Sequence, residues 1–369
     1  MLRRVVVTGV GVVTGGLAGE RDALQAFLAA PPAPRGGRVV DDAALGALIP
    51  DVDARRTSRV SRLTVAATRL ALADAGLADA QTAGLVLGTE HGDLHSTIEF
   101  VDGYLRGGPT GLSPLLFPNT VMNTMASATA IAVPARGAAL TLNVRTVGGE
   151  LAVARAAHTV AAGRLDVALA GGVDERDLLV DEMLAALGAG SEVRGEGATM
   201  LVLESLDHAR ARGAHPLGEV RGAAWRGLPA RPNGVGRSVE SRAVAAALAE
   251  AGLEPAAVAW VYGSGSGDAT RDAWERAVLA RALGSRVRPA SLAPLLGQHA
   301  GLGTLRVAAA AWTARSGRFV DPPWRATDAD APGAIVRDVA PAPGLVHGLA
   351  RGGTHVALVI GAAPDGEAS

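Results

Sequence analysis

The sequence predicts an α/β protein built from two similar halves, and three observations carry that prediction. Residues 140–174 read strand, tight turn, helix, strand, the pattern of a parallel crossover unit. The heptapeptide Ala71-Leu72-Ala73-Asp74-Ala75-Gly76-Leu77 recurs as Ala247-Leu248-Ala249-Glu250-Ala251-Gly252-Leu253, and each copy is followed by a strand. The pair Gly163-Arg164 is echoed by Gly317-Arg318, and Gly197-Ala198-Thr199 by Gly352-Gly353-Thr354, in the same order along the chain. The halves are placed at 1–212 and 213–369. A chain of 369 residues that is 49% hydrophobic has the material for one large core spanning both.

Taken in order, Arg4-Val5-Val6-Val7-Thr8 reads as a first strand. Gly9 and Gly11 lack the third glycine of a nucleotide loop and no helix opens there, so they read as a tight structural turn. Residues 30–36 (APPAPRG) read as a loop. Residues 59–75 place Val60, Leu63, Val65, Ala67, Leu70 and Leu72 at helical spacing, and Leu85-Val86-Leu87 is the next strand. Residues 91–125 hold Gly, Pro and Asn with little periodicity and take up the extra length of the first half. Residues 140–144 are mostly apolar and read as a buried strand, broken at Arg145-Thr146-Val147-Gly148-Gly149. Leu151, Val153, Ala156, Ala157 and Val160 then give a helix, which Gly163 stops. The strand at 167–170 is closed by Gly171-Gly172. A residue in the turn at 145–149 sits at a helix N-terminus, where backbone N–H groups and the helix dipole favour an anion. A fold of this kind places a nucleophile there, and here the residue is Thr146.

Composition narrows the function. A net charge of −1 with no basic run argues against a nucleic-acid partner. No apolar stretch approaches bilayer length unbroken, and the N-terminus leads directly into a strand, so neither a membrane span nor a signal peptide is expected and a cytoplasmic location is. Cysteine is absent, which excludes disulfides, thiolate metal sites and thiol nucleophiles; lysine is absent too. His91, His95, His158, His208, His215 and His355 show no metal-ligand spacing, so no metal and no cofactor is expected.

The segment 140–174 resembles the nucleophile segment of β-ketoacyl synthases, the condensing enzymes of the thiolase fold. Members carry a strand, Ala-Cys-x-x-Gly, this helix, and a strand ending Ala-Gly-Gly. Counting back from Ala170-Gly171-Gly172, the family's cysteine position falls on Thr146, while Arg136-Gly137 and Gly149 keep the register. Phe117-Pro118-Asn119-Thr120-Val121-Met122-Asn123 is similar to the loop before the nucleophile strand. Gly195-Glu196-Gly197-Ala198 and Met200-Leu201-Val202-Leu203-Glu204 match the end of the first half, and His208-Ala209-Arg210-Ala211-Arg212-Gly213-Ala214 the link to the second. The resemblance spans nearly the whole chain and implies a thiolase-like α/β fold with duplicated halves in a five-layered αβαβα arrangement.

The resemblance also says which chemical groups to look for: a cysteine thiolate, two neutral histidines that stabilise an enolate, and a lysine. The family's His-Gly-Thr-Gly-Thr turn reads Ser264-Gly265-Ser266-Gly267-Asp268 here, with Asp272 and Glu275 as anchors. Its Gly-His-x-x-Gly segment reads Gly297-Gln298-His299-Ala300-Gly301, and its lysine position is Ala293. Ser264 and Gln298 therefore stand where the histidines belong. His299 lies one residue off, and Gly297 and Gly301 fix the register that makes it structural. The family's Asn-Ser-Phe-Gly-Phe-Gly-Gly gate loop reads His347-Gly348-Leu349-Ala350-Arg351-Gly352-Gly353, with His347 at the asparagine and Arg351 at the gating phenylalanine.

No catalytic residue is expected at these degenerate positions, and the chain is expected to lack condensing activity on its own. The implied role is that of a chain length factor of type II polyketide synthases, a ketosynthase homologue without cysteine in polyketide or fatty-acid-type assembly. Its expected partners are a catalytic ketosynthase as a heterodimer, or a second copy as a homodimer, together with acyl carrier protein. Phe117, Asn119 and Met122 fall in the loop expected near the partner's acyl tunnel, and the strand at 138–144 in the expected interface. Two alternatives stay open: an acyltransferase or hydrolase using Thr146, His299 or His347, and a binding module for acyl carrier proteins or acyl chains.

Overall fold

A computed structural model describes residues 2–33, 39–187, 192–322 and 335–364, so the predicted loop at 30–36 lies outside the described residues from 34 onward, as do residue 1 and 365–369 of the two halves. The first part of the chain runs β1 (Val5–Thr14), β2 (Leu17–Gly19), α1 (Arg21–Ala29), α2 (Asp42–Leu48), α3 (Arg59–Asp74), β3 (Gly84–Thr89), α4 (Leu94–Gly107), α5 (Thr124–Ala132), β4 (Ala139–Asn143), α6 (Gly148–Ala161), β5 (Val167–Asp174), α7 (Leu178–Ala186), β6 (Gly197–Ser205) and α8 (Leu206–Ala211). It continues with β7 (Gly218–Gly227), α9 (Arg242–Ala251), β8 (Val261–Tyr262), α10 (Ala269–Leu283), β9 (Pro289–Ala290), α11 (Ala293–Leu296), α12 (Ala300–Ser316), β10 (Arg318–Asp321), β11 (Ile335–Asp338), β12 (Gly344–Leu349) and β13 (Thr354–Ala362). Among the described residues, no helix is long and apolar enough to cross a membrane.

The main sheet has the order β4-β3-β5-β6-β1-β7-β13-β12-β8-β9, with β2 attached to β1. Reading outward from the β1–β7 pair, both arms follow one rule: two antiparallel pairings, then two parallel ones. Helices α6 and α12 pack between the arms, α3 and α5 cover the outer face of the first, and α9 and α10 cover that of the second. This gives the αβαβα layering. The largest apolar cluster is the middle layer, where Leu151, Val153 and Val160 of α6 meet Leu302, Leu305 and Val307 of α12. Positive φ at Gly76 (60°), Gly163 (74°), Gly252 (65°) and Gly317 (68°) lets the chain turn off the ends of α3, α6, α9 and α12, as the repeated Gly pattern predicts.

The structure corrects four readings. Gly9 and Gly11 are not a turn but lie inside β1, which runs on to Thr14 before a hairpin at Gly15-Gly16. Their role is close packing: a Cβ on Gly9 or Gly11 would sit 2.2 or 2.0 Å from the carbonyl of Ala71 or Ala67 in α3. Gly171 and Gly172 likewise lie within β5, which ends at Asp174. The weakly periodic stretch at 91–125 contains a full helix, α4, capped by Asp93. Finally, β4 is apolar but not buried: it is the sheet's edge strand, and Leu140 is 38% exposed. The second half also departs from the first after α12. Gly317 leads into β10, which leaves the main sheet to pair with β11.

Substituting alanine at Gly11 is expected to lower unfolding stability by about 2 kcal/mol or more, since backbone must shift to admit the methyl. The same change at Gly46, within α2 and with nothing inside 4 Å of the added Cβ, is expected to gain about 0.5–1 kcal/mol. Denaturant unfolding of the two variants checks both signs.

Candidate functional site

The turn between β4 and α6 is built by close contact. A Cβ on Gly88 of β3 would lie 2.0 Å from the Gly148 carbonyl, so the helix start rests directly on strand backbone. The chain reaches α6 through Thr146 with φ = 67°, in the left-handed region. A β-branched residue there is an outlier whose strain is about 1–3 kcal/mol, and it persists only where the surroundings enforce it.

Those surroundings are visible. The Thr146 N–H donates to Glu90 Oε1 at 2.5 Å, and the Thr146 carbonyl accepts from Gln298 Nε2 at 3.2 Å. Glu90 is fully buried, and Arg194 Nη1 donates to its other oxygen at 3.2 Å. Burial works against ionisation of Glu90, but Arg194, His91 and Arg145 outweigh it and hold the carboxyl below the usual carboxylate range. Gln298 Oε1 accepts from Arg306 Nη2 at 3.1 Å, and Arg306 Nη1 donates to Glu150 Oε1 at 2.7 Å. Neither Arg306 nor Glu150 is exposed at all. Burial pushes the Glu150 carboxyl up, and Arg306 opposes that shift. Gly303 of α12 makes the room: a Cβ there would sit 2.0 Å from Glu150 Oε2. A continuous path of polar contacts therefore runs from Thr146 through Gln298 and Arg306 to Glu150, between the two central helices.

Ser264 follows β8 and lies in a second buried network. Its N–H and Oγ both donate to Glu275 Oε1, at 3.0 and 2.9 Å. Arg271 Nη1 donates to Ser264 Oγ and to the Leu349 carbonyl, each at 2.8 Å. The guanidinium thus occupies space that a small Ser264 side chain leaves open. Asp272 accepts from the N–H groups of Ser266 and Gly267, as the sequence predicts for an anchor. His347 Nδ1 lies 2.9 Å from Glu275 Oε1. Burial opposes ionisation of Glu275, yet His347 and Arg271 pull its pKa down to about 2. Ala293 opens α11 and is fully buried, with its N–H bound to Ser291 Oγ.

The gate-loop segment is loop only in part: His347, Gly348 and Leu349 are paired strand residues at the end of β12, and residues 350–353 turn the chain into β13. Arg351 Nε donates to Asp268 Oδ2 at 2.5 Å and Nη1 to the Asn233 carbonyl at 3.3 Å. Gly352 and Gly353 adopt φ = 88° and 92°, and a Cβ on Gly353 would strike the Leu228 carbonyl at 1.9 Å. His299 is the N-cap of α12 and is fully buried; neither ring nitrogen makes a well-aligned hydrogen bond. Burial pushes its pKa down to about 3, against the pull of Glu90. Phe117, Asn119 and Met122 lie outside this core: Phe117 is 59% and Met122 40% exposed, and Asn119 is half-buried. Met122 nevertheless reaches the site's border, since a Cβ on Gly92 would sit 2.9 Å from its Sδ and Cε.

The structure thus brings Thr146 and Gln298 into direct contact and places Ser264 with His347 in a neighbouring network. Sequence reading missed Glu90, Glu150, Arg194, Arg271 and Arg306. A signal existed for two of them: Glu150 is the one carboxylate of α6, and Arg306 is a charge in the apolar middle of α12.

His299 gives a pH prediction. The folded chain keeps it neutral down to about pH 3, whereas in the unfolded chain it takes a proton near 6.5. Between those values the unfolded state binds more protons, so stability falls as pH falls. His299→Leu is expected to flatten the stability profile between pH 6.5 and 4.5 by up to about 1.4 kcal/mol per pH unit. Equilibrium unfolding across that range measures it; the Glu275 contribution is lost at lower pH, from about 4.5 toward 2.

Comparison with known proteins follows the same lines. The family model for the β-ketoacyl synthase N-terminal domain matches residues 32–209. "Putative polyketide beta-ketoacyl synthase 1" of Streptomyces halstedii is 31% identical over 360 residues, covering 84% of this chain and 85% of its own. "Granaticin polyketide putative beta-ketoacyl synthase 1" of Streptomyces violaceoruber is 30% identical over 363 residues, with the same coverage of 84% and 85%. Among solved structures, "The ishigamide ketosynthase/chain length factor" superposes with a TM-score of 0.84 at 25% identity, covering 99% of this chain and 100% of that one. With the turn, the central helices and the layered sheet in place, the chain belongs to the β-ketoacyl synthase family.

Proposed function

We propose that this chain is a non-catalytic ketosynthase-like subunit that pairs with a cysteine-bearing β-ketoacyl synthase and bounds the acyl chain built there. The observation that carries this reading is the state of the Thr146 N–H. A backbone donor at a helix N-terminus is where an acyl oxyanion is stabilised, and here the Glu90 carboxylate already accepts from it. An ionised carboxylate at that point repels a developing oxyanion. Held in its charged form by Arg194, Glu90 is also a weak base for a hydroxyl. Gln298 is spent on the Thr146 carbonyl and Arg306, and Ser264 on Glu275. His347 is bound to Glu275, and His299 is sealed from solvent. None of these groups is free to serve Thr146 as general base.

Pairing is supported by the surface. Helix α5, which packs against the edge strand β4, carries Ile131, 81% exposed, and the segment leading into α5 exposes Leu115, Phe117, Val121 and Met122. An open strand edge beside exposed apolar side chains suits strand addition by a second subunit and is a liability for a lone chain. An obligate interface of this kind buries on the order of 2,000 Å² or more. The structural relative whose name joins ketosynthase to chain length factor points the same way. Acyl carrier protein then delivers substrate to the catalytic partner.

The isolated chain is expected to take no acyl label from acyl carrier protein and to release no carbon dioxide from malonyl-carrier protein above the blank. A turnover that Thr146→Ala abolishes would overturn the reading. In the reconstituted pair, Met122→Trp or Phe117→Trp is expected to shorten the products while leaving the partner's acylation rate unchanged. Unchanged product length with an intact dimer would remove the chain-length role.

A further inference from the structure

We propose that a groove beside the edge strand receives carboxylates of the partner subunit, so that this chain discriminates by charge against a second copy of itself. The proposal rests on the pairing reading above and adds the chemistry of the partner's face.

The groove, of about 370 Å³, lies between α6, β4 and the end of β7. Its floor is apolar, from Val86, Leu140 and Ala161. Its rim carries Arg155 and Arg164, both exposed. The Arg155 guanidinium lies over the Trp225 ring, 5.1 Å from the centroid, which holds it in place without neutralising it. Among the described residues, neither arginine side chain has a carboxylate partner; nearby Arg3 and Arg4, by contrast, are paired with Asp166 and Glu219. The one acid in the groove, Glu250, is committed: it accepts from the Ala223 N–H at 3.0 Å and lies 3.4 Å from His158 Nε2. The groove's uncompensated charge is therefore positive.

Leu140 belongs both to this groove and to β4, so the groove is continuous with the edge where a second subunit would add its strand. A two-fold contact between identical chains puts the same patch on both sides. With β4 at the axis, Arg155 and Arg164 would approach their own equivalents. Like charges across an interface disfavour the wrong partner, and opposite charges favour and orient the right one. A partner presenting carboxylates above an apolar patch relieves both arginines.

A charge-reversed copy of this chain, Arg155→Glu with Arg164→Glu, serves as the acidic partner in the test. Sedimentation equilibrium is run on each protein alone and on the equimolar mixture, at low salt and at 1 M salt. The mixture is expected to associate at least tenfold more tightly than either protein alone at low salt. That gain should largely vanish at 1 M, where screening extends only about 3 Å. The neutral variant Arg155→Gln with Arg164→Gln should self-associate severalfold more tightly than the natural chain. A mixture no tighter than the natural chain alone, or a gain indifferent to salt, overturns the proposal. Ile131→Glu, placed in both members of the mixture, separates the two readings. If it leaves a salt-sensitive gain untouched, the charge proposal stands and pairing through the β4 flank fails. If it abolishes association while mixing gives no gain, the pairing stands and the charge proposal fails.

Discussion

The ion pair between Glu150 and Arg306 is the constraint around which the middle of this molecule is arranged. It joins α6 to α12, one central helix from each half, with neither charge exposed. Removing two charges from water costs more than a bare pair returns, so such a pair leans on further hydrogen bonds, even though Glu150 Oε2 and Arg306 Nε make none among the described residues. Here Arg306 spends a second donor on Gln298, and Gln298 passes the connection to the Thr146 carbonyl. The helices must also approach closely for the side chains to meet. Gly303 supplies the space for Glu150, and a Cβ on Gly149 would lie 2.1 Å from the Ala300 carbonyl. The nucleophile turn of the family is thus held from behind by a structural circuit.

That arrangement explains how much the sequence disclosed. The helix-ending glycines, the crossover unit and the turn at Thr146 were legible because they are local: spacing and a few residue types determine them. Gly9 and Gly11 misled because their cause is not local. Glycine in β1 answers to α3, some sixty residues later, and nothing in the strand itself says so. The exposure of β4 was hidden for a related reason. Its apolar side chains match a buried strand, and only the sheet order shows that no described strand pairs beyond it. The buried charges were the largest omission. Glu90 meets Arg194 and Arg145, Ser264 meets Arg271 and Glu275, and every such pair brings together segments that sequence order keeps apart or that only a folded turn aligns.

The residues that fill the site share one property. Arginine stays protonated at any pH the fold survives, and glutamine and serine do not titrate in that range. Arg271, Arg306, Gln298 and Ser264 therefore orient and stabilise their neighbours without changing charge themselves. His347 is drawn toward Glu275, and His299 is kept neutral by burial. The polar groups around Thr146 bind chiefly to one another.

Thr146 itself shows where shape and chemistry part. Its left-handed backbone is a strained state for a β-branched residue. The strain persists because the neighbouring contacts require the turn. Gly88 lies against Gly148, Asp174 accepts from the Glu90 and Ala300 N–H groups, and Glu90 in turn takes the Thr146 N–H. Relaxing the turn would leave the Glu90 carboxylate buried with one donor fewer and pull α6 off β3. The lost donor alone costs about 1–3 kcal/mol, more for a charged acceptor, which matches the strain stored at Thr146 before any loss of packing is added. The packing around Thr146 is thus enough to hold the turn's outline, whatever residue stands in it.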